Sequence, residues 1–270
     1  MDAYARLLEL LGSMDGVLVA FSGGVDSSLL LKAAHEALGD RTLAVSARGV
    51  LYAAREQQEA SAIAGQIGAR HRTIDSDPLS DPDLRANRPD RCYLCKKALF
   101  SRLIEMAREE GLEAVVEGSN VDDADDYRPG MRAVRELGVR SPLAEVGLRK
   151  AEIRRLLRQR GLPNWDRPAL ACLASRIPYG EPLSADRLRR IDAAEGFLRS
   201  LGLTQLRARD HGETVRIEIP ADDMPRVMNG AVRRRIVAEL KALGFAFVAL
   251  DLEGYRTGAM NEVIDTGEGS

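Results

Sequence analysis

Val17-Leu18-Val19-Ala20-Phe21-Ser22-Gly23-Gly24-Val25-Asp26-Ser27-Ser28 passes without a break from a short apolar run, through two adjacent glycines, into residues at helical spacing. A strand that ends in a glycine-rich turn and leads at once into a helix brings backbone N–H groups and the positive end of a helix dipole to one point, which favours a bound anion such as phosphate. Gly23 and Gly24 permit close backbone approach and positive φ, and Ser22 and Ser27 add hydroxyl donors. Two commoner phosphate loops are excluded, because no Gly-Lys-Ser/Thr follows a four-residue gap and Gly-x-Gly-x-x-Gly is absent here. At ordinary residue usage of ~7% per position, five such fixed positions recur by chance on the order of once in two thousand chains of this length. A turn merely capped by serines is therefore the weaker reading.

Working outward, short β-branched runs alternate with longer helical patterns from Gly16 to about Val146, the pattern of a parallel sheet covered on both faces. Strands are predicted over 17–21, 42–46, 71–74 and 114–117, and helices over 28–38, 53–67, 96–110 and 150–160. Gly161 and Pro163 stop the last of these. Residues 164–182 read as an irregular, proline-rich connection that carries Cys172. Beyond it, Ser184 caps a helix to about Leu201, 206–208 and 215–219 form a hairpin around Gly212, Asp222 caps another helix, and 247–250 is a last strand. The fold class is thus α/β, in four pieces: a nucleotide-binding domain at 1–163, the connection at 164–182, a small α+β domain at 183–265, and a loose tail at 266–270.

Composition narrows the function classes. The chain has 270 residues, 45% of them hydrophobic, enough for real cores. With 39 Lys plus Arg against 41 Asp plus Glu, the net charge of -2 gives no global attraction for nucleic acid or membrane. The first sixteen residues carry Asp2 and Glu9 and do not read as a signal peptide. No apolar run approaches the ~20 residues needed to cross a bilayer. Three cysteines, an odd number, fit a reduced cytoplasm better than a disulfide framework.

Two further segments extend the first motif. Gly118-Ser119-Asn120-Val121-Asp122-Asp123 follows the fourth predicted strand, and Ser141-Pro142-Leu143 precedes Lys150-Ala151-Glu152-Ile153-Arg154. Together with Ser-Gly-Gly-x-Asp-Ser, they resemble the PP-loop of the ATP pyrophosphatase superfamily, in which the loop holds pyrophosphate while ATP is split to AMP. The resemblance implies ATP and Mg2+ as ligands and Ser22, Gly23, Gly24, Asp26, Ser27, Gly118 and Asp122 as the ATP-binding residues. Asp122 and Asp123 are also open to a reading as part of a solvated acidic loop, which is preferred for Asp125 and Asp126.

Cys92 and Cys95 form a Cys-x-x-Cys at the start of a helix, where the dipole favours thiolate. Cys172 lies in Ala171-Cys172-Leu173-Ala174-Ser175-Arg176-Ile177-Pro178-Tyr179-Gly180. That segment, with Asn164-Trp165-Asp166-Arg167-Pro168, Asp126-Tyr127-Arg128-Pro129-Gly130 and the PP-loop, is similar to the LarE family over about residues 1–265. Members of that family are ATP-dependent sulfur transferases that thiolate pyridinium-3,5-biscarboxylic acid mononucleotide, a precursor of the nickel-pincer nucleotide cofactor of lactate racemase. The resemblance implies Cys172 as the sulfur-bearing catalytic residue. Where the family carries one cysteine, that residue is sacrificed and ends as dehydroalanine. Cys92 and Cys95 depart from that pattern and resemble the three-cysteine type, in which Cys92, Cys95 and Cys172 would hold a [4Fe–4S] cluster fed by exogenous sulfide. It further implies Arg207, Arg209 and Arg176 as ligands of the substrate phosphate, Glu195 and Asp223 as ligands of a divalent cation, and a homo-oligomer.

Alternative readings accompany each of these. Cys92 and Cys95 also read as core residues or as part of a zinc site, which needs a fourth ligand. Arg207 and Arg209 share one face of a strand and read equally as surface charge. A tRNA thiolase also combines a PP-loop with cysteines, and residues 149–160 hold six Lys or Arg, yet the acidic balance argues against a nucleic-acid partner. A nucleotide-binding metal or redox protein would bind ATP without releasing pyrophosphate. An ammonia-using synthetase would leave the cysteines unexplained.

Overall fold

The computed structural model describes residues 2–125, 130–168 and 171–256. The segment 126–129, Ala169 and Leu170, and the tail expected to be loose lie outside the described residues. The chain divides into two compact units, Met1–Asp77 with Asp90–Leu170, and Pro78–Pro89 with Ala171–Ser270.

The first unit is a parallel four-stranded sheet between helices. Its strands are β1 (Val17–Ala20), β2 (Thr42–Arg48), β3 (Arg70–Asp75) and β4 (Ala114–Val116), in the order β3-β2-β1-β4. Helices α1 (Ala3–Gly12), α2 (Val25–Leu38) and α3 (Ala54–Ile67) precede α4 (Pro82–Arg85), which belongs to the other unit. Then come α5 (Arg91–Glu109), α6 (Gly130–Glu136), α7 (Pro142–Glu145) and α8 (Lys150–Gln159). Alternation along β1 sends Val17 and Val19 into one core with Leu7, Leu11, Leu30 and Leu157, and Leu18 into a second with Phe100, Leu103 and Val115. Strands buried on both faces read as continuous apolar runs, which is why β1 and β2 stand out in the sequence. β3 is an edge strand, and its exposed Arg70 and Arg72 pair with Glu110. α2 has Leu29, Leu30, Leu31, Ala33 and Ala34 all fully buried, so its apolar surface runs round the helix, as in a central helix.

Two expectations are corrected at the level of elements, and one helix is added. α5 begins at Arg91 rather than 96, and Cys92 and Cys95 stand at its start, as the motif reading expects. The helix after Pro220 is broken: Pro225 opens a short α10 (Met224–Met228), Asp222 caps nothing regular, and Asn229 caps α11 (Gly230–Ala242) by accepting from Ala231 N at 3.1 Å. α1 follows Asp2, whose carboxylate accepts from Ala5 N, and buries Tyr4, Leu7 and Leu11, a helical spacing that the signal-peptide question passed over.

The second unit packs α9 (Ala185–Ser200) and α11 on a three-stranded sheet, β5 (Arg207–His211), β6 (Thr214–Glu218) and β7 (Phe247–Leu250). β5 and β6 are the antiparallel hairpin expected around Gly212, and β7 joins β6 in parallel. Ser184 caps α9 by accepting from Arg187 N, as expected.

The division of the chain differs from the four sequence segments. Pro78–Pro89 falls with the C-terminal residues because Asn87, fully buried with φ 54°, donates to the carbonyls of Ile177, Pro178 and Glu181. The expected connection at 164–182 is itself shared, 164–170 going to the first unit and 171–182 to the second. Among the described residues no helix is long and apolar enough to cross a membrane.

Candidate active site

The loop between β1 and α2 is built by what its glycines exclude. Gly23 has φ +72°, and a Cβ there would stand 2.8 Å from Ala60 Cα on α3. Gly24 caps α2 in an extended conformation with no side chain taking the cap hydrogen bond. Gly24 N donates to Ser22 Oγ at 3.3 Å, Ser22 Oγ lies 3.1 Å from Ser27 Oγ, and Ser27 Oγ donates to Gly24 O at 3.3 Å. These bonds are long for their type. An oxyanion offered to the same donors would replace them with shorter, charge-assisted ones.

Below the loop, Asp26 on the first turn of α2 meets Lys150 on the first turn of α8, with Nζ 2.5 Å from Oδ2. Asn120 Nδ2 donates to the other Asp26 oxygen at 3.3 Å and also to Asp123 Oδ2 at 3.1 Å. Burial raises the Asp26 carboxyl above its ordinary range, and the nearby Asp123 charge adds to this against the pull of Lys150. An acid that resists its own negative charge is poised to gain from a cation. Asp122 behaves differently: it accepts from Lys150 N at 2.8 Å and from Arg149 at 2.6 Å, which holds its carboxyl below the ordinary range. It caps α8, while Asn120 and Asp123 turn toward Asp26. Gly118 acts sterically, since a Cβ there would lie 2.9 Å from Ser27 N at the start of α2.

Sequence reasoning missed Lys150, Asn120 and Asp123 as members of this cluster, although all three lie in quoted motifs. It also missed Asn164, buried in the same unit, whose Nδ2 donates to Gly23 O at 3.0 Å and Ser28 Oγ at 2.9 Å.

The basic stretch around α8 is largely engaged within its unit. Arg154 donates to the carbonyls of Trp165 and Arg167, Arg158 lies over the Trp165 ring, and Arg160 lies over Tyr4.

All three cysteines are free thiols and half-buried. On α5, Arg91 Nη2 donates to Cys92 Sγ at 3.7 Å, and Cys95 follows one turn later. In the second unit Cys172 opens a 3-10 turn over Leu173–Arg176. Arg176 is buried and braces this turn, donating to the carbonyls of Ala171 and Cys172 and to Glu195. Arg209 braces it again by donating to Ser175 O at 2.7 Å, while its other nitrogens bind Glu218.

These partners bear on the expected ligand roles. The Glu195 oxygens are taken by Arg176, Arg199 and Ala208 N, and the arginines, outweighing the upward push of burial, hold its carboxyl at about 2. That donor set does not fit a divalent-cation ligand. Asp223 ends the 3-10 turn Ala221–Asp223. Among the described residues of either unit, no group of three or more His, Cys, Asp or Glu side chains is placed to hold a metal ion. Arg207 is the arginine that stays available: it donates to Leu206 O and the Tyr255 hydroxyl and lies over that ring, with no carboxylate in salt-bridge range among the described residues. Burial and the charge of Arg176 push its guanidinium below its ordinary value, against the opposing pull of Tyr255 and Glu195.

No family model matches the chain. A pyridinium-3,5-bisthiocarboxylic acid mononucleotide synthase of Lactiplantibacillus plantarum is 40% identical over 263 residues, covering 96% of this chain and 94% of that protein. An uncharacterised protein of Synechocystis is also 40% identical, over 96% of this chain and 97% of its own length. A tRNA-specific 2-thiouridylase of Gluconobacter oxydans is 32% identical over 42% of this chain and 38% of its own.

Proposed function

The chain belongs to the LarE family of the PP-loop superfamily, and we propose that it is an ATP-dependent sulfur transferase that turns carboxylates of pyridinium-3,5-biscarboxylic acid mononucleotide into thiocarboxylates. The single observation that carries this reading is the loop at 21–24, with its weakly engaged donors above the Asp26–Lys150 pair. On this reading the loop amides and the Ser22 and Ser27 hydroxyls hold the β- and γ-phosphates of ATP. Mg2+, which would neutralise phosphate charge, fits the buried Asp26 carboxylate in chemistry. Lys150, released from Asp26, then pairs with phosphate oxygens.

With ATP so held, a substrate carboxylate oxygen bonds to the α-phosphorus as the bond to the pyrophosphate oxygen breaks, and pyrophosphate leaves with that electron pair. Catalysis of this step is mostly positioning and charge neutralisation. The acyl adenylate is then open to a sulfur nucleophile at its carbonyl carbon, with AMP as the leaving group. In the second unit, Arg207 receives the mononucleotide phosphate.

Cys172 is assigned to the sulfur step, either giving up its own sulfur or, with Cys92 and Cys95, holding a cluster that carries sulfide. Three free thiols, Cys92, Cys95 and Cys172, match in chemistry the donor set of a [4Fe–4S] cluster with one iron left open. When bound, such a cluster would supply a site for sulfide and allow repeated turnover. The product then serves the nickel-pincer nucleotide cofactor of lactate racemase, in a reduced cytoplasm, with the protein as a homo-oligomer that takes sulfide or another sulfur donor if the cluster is present.

The test is pyrophosphate release from ATP in the presence of the biscarboxylic mononucleotide. Wild type should release it and Asp26→Ala should not, with an unchanged circular dichroism spectrum. Equal release by the variant removes the reading. Anaerobic iron and sulfide analysis with intact mass after turnover tests the cluster: about four irons per chain and an unchanged mass support it, and absent iron with loss of the mass of hydrogen sulfide overturns it in favour of sacrifice.

A further inference from the structure

Asn164 sits in the Asn-Trp-Asp-Arg-Pro stretch, to which the reaction above gives no role. It is 2% exposed, and its amide nitrogen faces two acceptors, Gly23 O at 3.0 Å and Ser28 Oγ at 2.9 Å. Its Oδ1 is buried without a hydrogen-bond partner among the described residues. A buried amide carbonyl left unpaired is unfavourable, yet flipping the side chain would set that oxygen against the Gly23 carbonyl. The orientation is therefore fixed by the loop and not by the amide's own satisfaction.

In a trans peptide the C=O of Gly23 and the N–H of Gly24 point in opposite directions. Holding the Gly23 carbonyl inward thus turns the Gly24 N–H outward, and this N–H has only a 3.3 Å bond to Ser22 Oγ. Gly23 has little intrinsic preference for this plane, because a glycine at φ +72° reaches the neighbouring peptide orientations easily. Ala60 closes one side of the residue but makes no hydrogen bond to that carbonyl.

We propose that Asn164 is a positioning residue of the PP-loop, which sets the Gly23–Gly24 peptide so that Gly24 N–H is presented to the pyrophosphate part of ATP. The inference rests on the proposed ATP chemistry and adds to it a residue that never touches the nucleotide. It separates the ligands by chemistry: inorganic pyrophosphate and ATP use the amide that Asn164 orients, and AMP, which lacks the β- and γ-phosphates, does not.

Titration calorimetry on the full chain with Mg2+ and, separately, pyrophosphate, ATP and AMP tests this, using Asn164→Ala and the equal-volume Asn164→Asp, which replaces the donor by an acceptor. Each variant should lose about tenfold in affinity for pyrophosphate and ATP, the worth of one oriented hydrogen bond, with AMP affinity unchanged. Ser28→Ala, which leaves the Gly23 bond in place, should bind all three as wild type does. Pyrophosphate affinity unchanged in Asn164→Ala, or affinity for all three ligands lost in parallel, overturns the inference. Failure of both Asn164 variants to fold also overturns it, since the residue would then be structural. Wild type that binds no pyrophosphate would instead sink the ATP chemistry itself, so the two failures are distinguishable.

Discussion

Asp26 is a carboxylate in a place that disfavours its charge, and its expected behaviour follows from that. With its carboxyl raised by burial, the stability it contributes is full below its ordinary range and lost as pH rises through the raised value. At neutral pH Asp26→Asn should therefore unfold at a temperature no lower than wild type, while pyrophosphate release is lost. A melting temperature clearly below wild type would show that the Lys150 pair outweighs burial. Arg207 gives a second residue-scale expectation. Arg207→Ala should weaken mononucleotide binding by about 1.5–3 kcal/mol, as for one charge-assisted contact, with little change in stability. Arg209→Ala is a poorer probe, because it leaves buried Glu218 with Arg216 as its remaining charge partner and frees Ser175 O. Unaltered substrate affinity in Arg207→Ala would make it a stacking partner of Tyr255 and nothing more.

At the scale of elements, the site depends on close approach of helix starts and strand ends. Gly118→Ala would press a Cβ to 2.9 Å from a backbone nitrogen of α2; overpacking of this kind destabilises by about 1–3 kcal/mol, and ATP affinity should fall with it. In the second unit, Glu195 ties α9 to the Cys172 turn through Arg176. Its carboxyl, held at about 2 against an ordinary 4.5, contributes stability that is present above pH 4.5 and lost as pH falls toward 2. Glu195→Gln leaves Arg176 buried without its counter-charge and should destabilise by about 3–5 kcal/mol at neutral pH. That gap, followed by denaturant unfolding, should close as the pH falls to about 2. The elements themselves were legible where local signals suffice. β1, β2 and the turn at Ser22 follow from apolar runs and paired glycines, and the start of α9 from Ser184. The first turn of α5 was legible from the Cys-x-x-Cys motif and not from periodicity, because Arg91, Cys92 and Lys96 carry no apolar period. The break at Asn229 was hidden by Asp222, a better-looking cap that the chain does not use.

For the whole molecule, the chain leaves the first unit after Asp77, returns at Asp90 and leaves again after Leu170. No composition shift marks the excursion, since what holds Pro78–Pro89 is a set of long-range bonds from Asn87. The same limit explains the site. Motif residues could be named from their spacing, but the pairing of Asp26 with Lys150, 124 positions away, and the grip of Asn164 on Gly23 exist only once the chain is folded. The two units divide the residues to which the reaction is assigned: the PP-loop, Lys150, Cys92 and Cys95 in one, Cys172 and Arg207 in the other. The central claim, that a carboxylate activated by ATP is handed to sulfur, is tested most directly by the mass of the mononucleotide after anaerobic incubation with the protein, ATP, Mg2+ and sulfide. The expected result is a product heavier by one sulfur in place of one oxygen, with one AMP and one pyrophosphate formed per exchange. A mononucleotide of unchanged mass, whether ATP is spent or untouched, would contradict it.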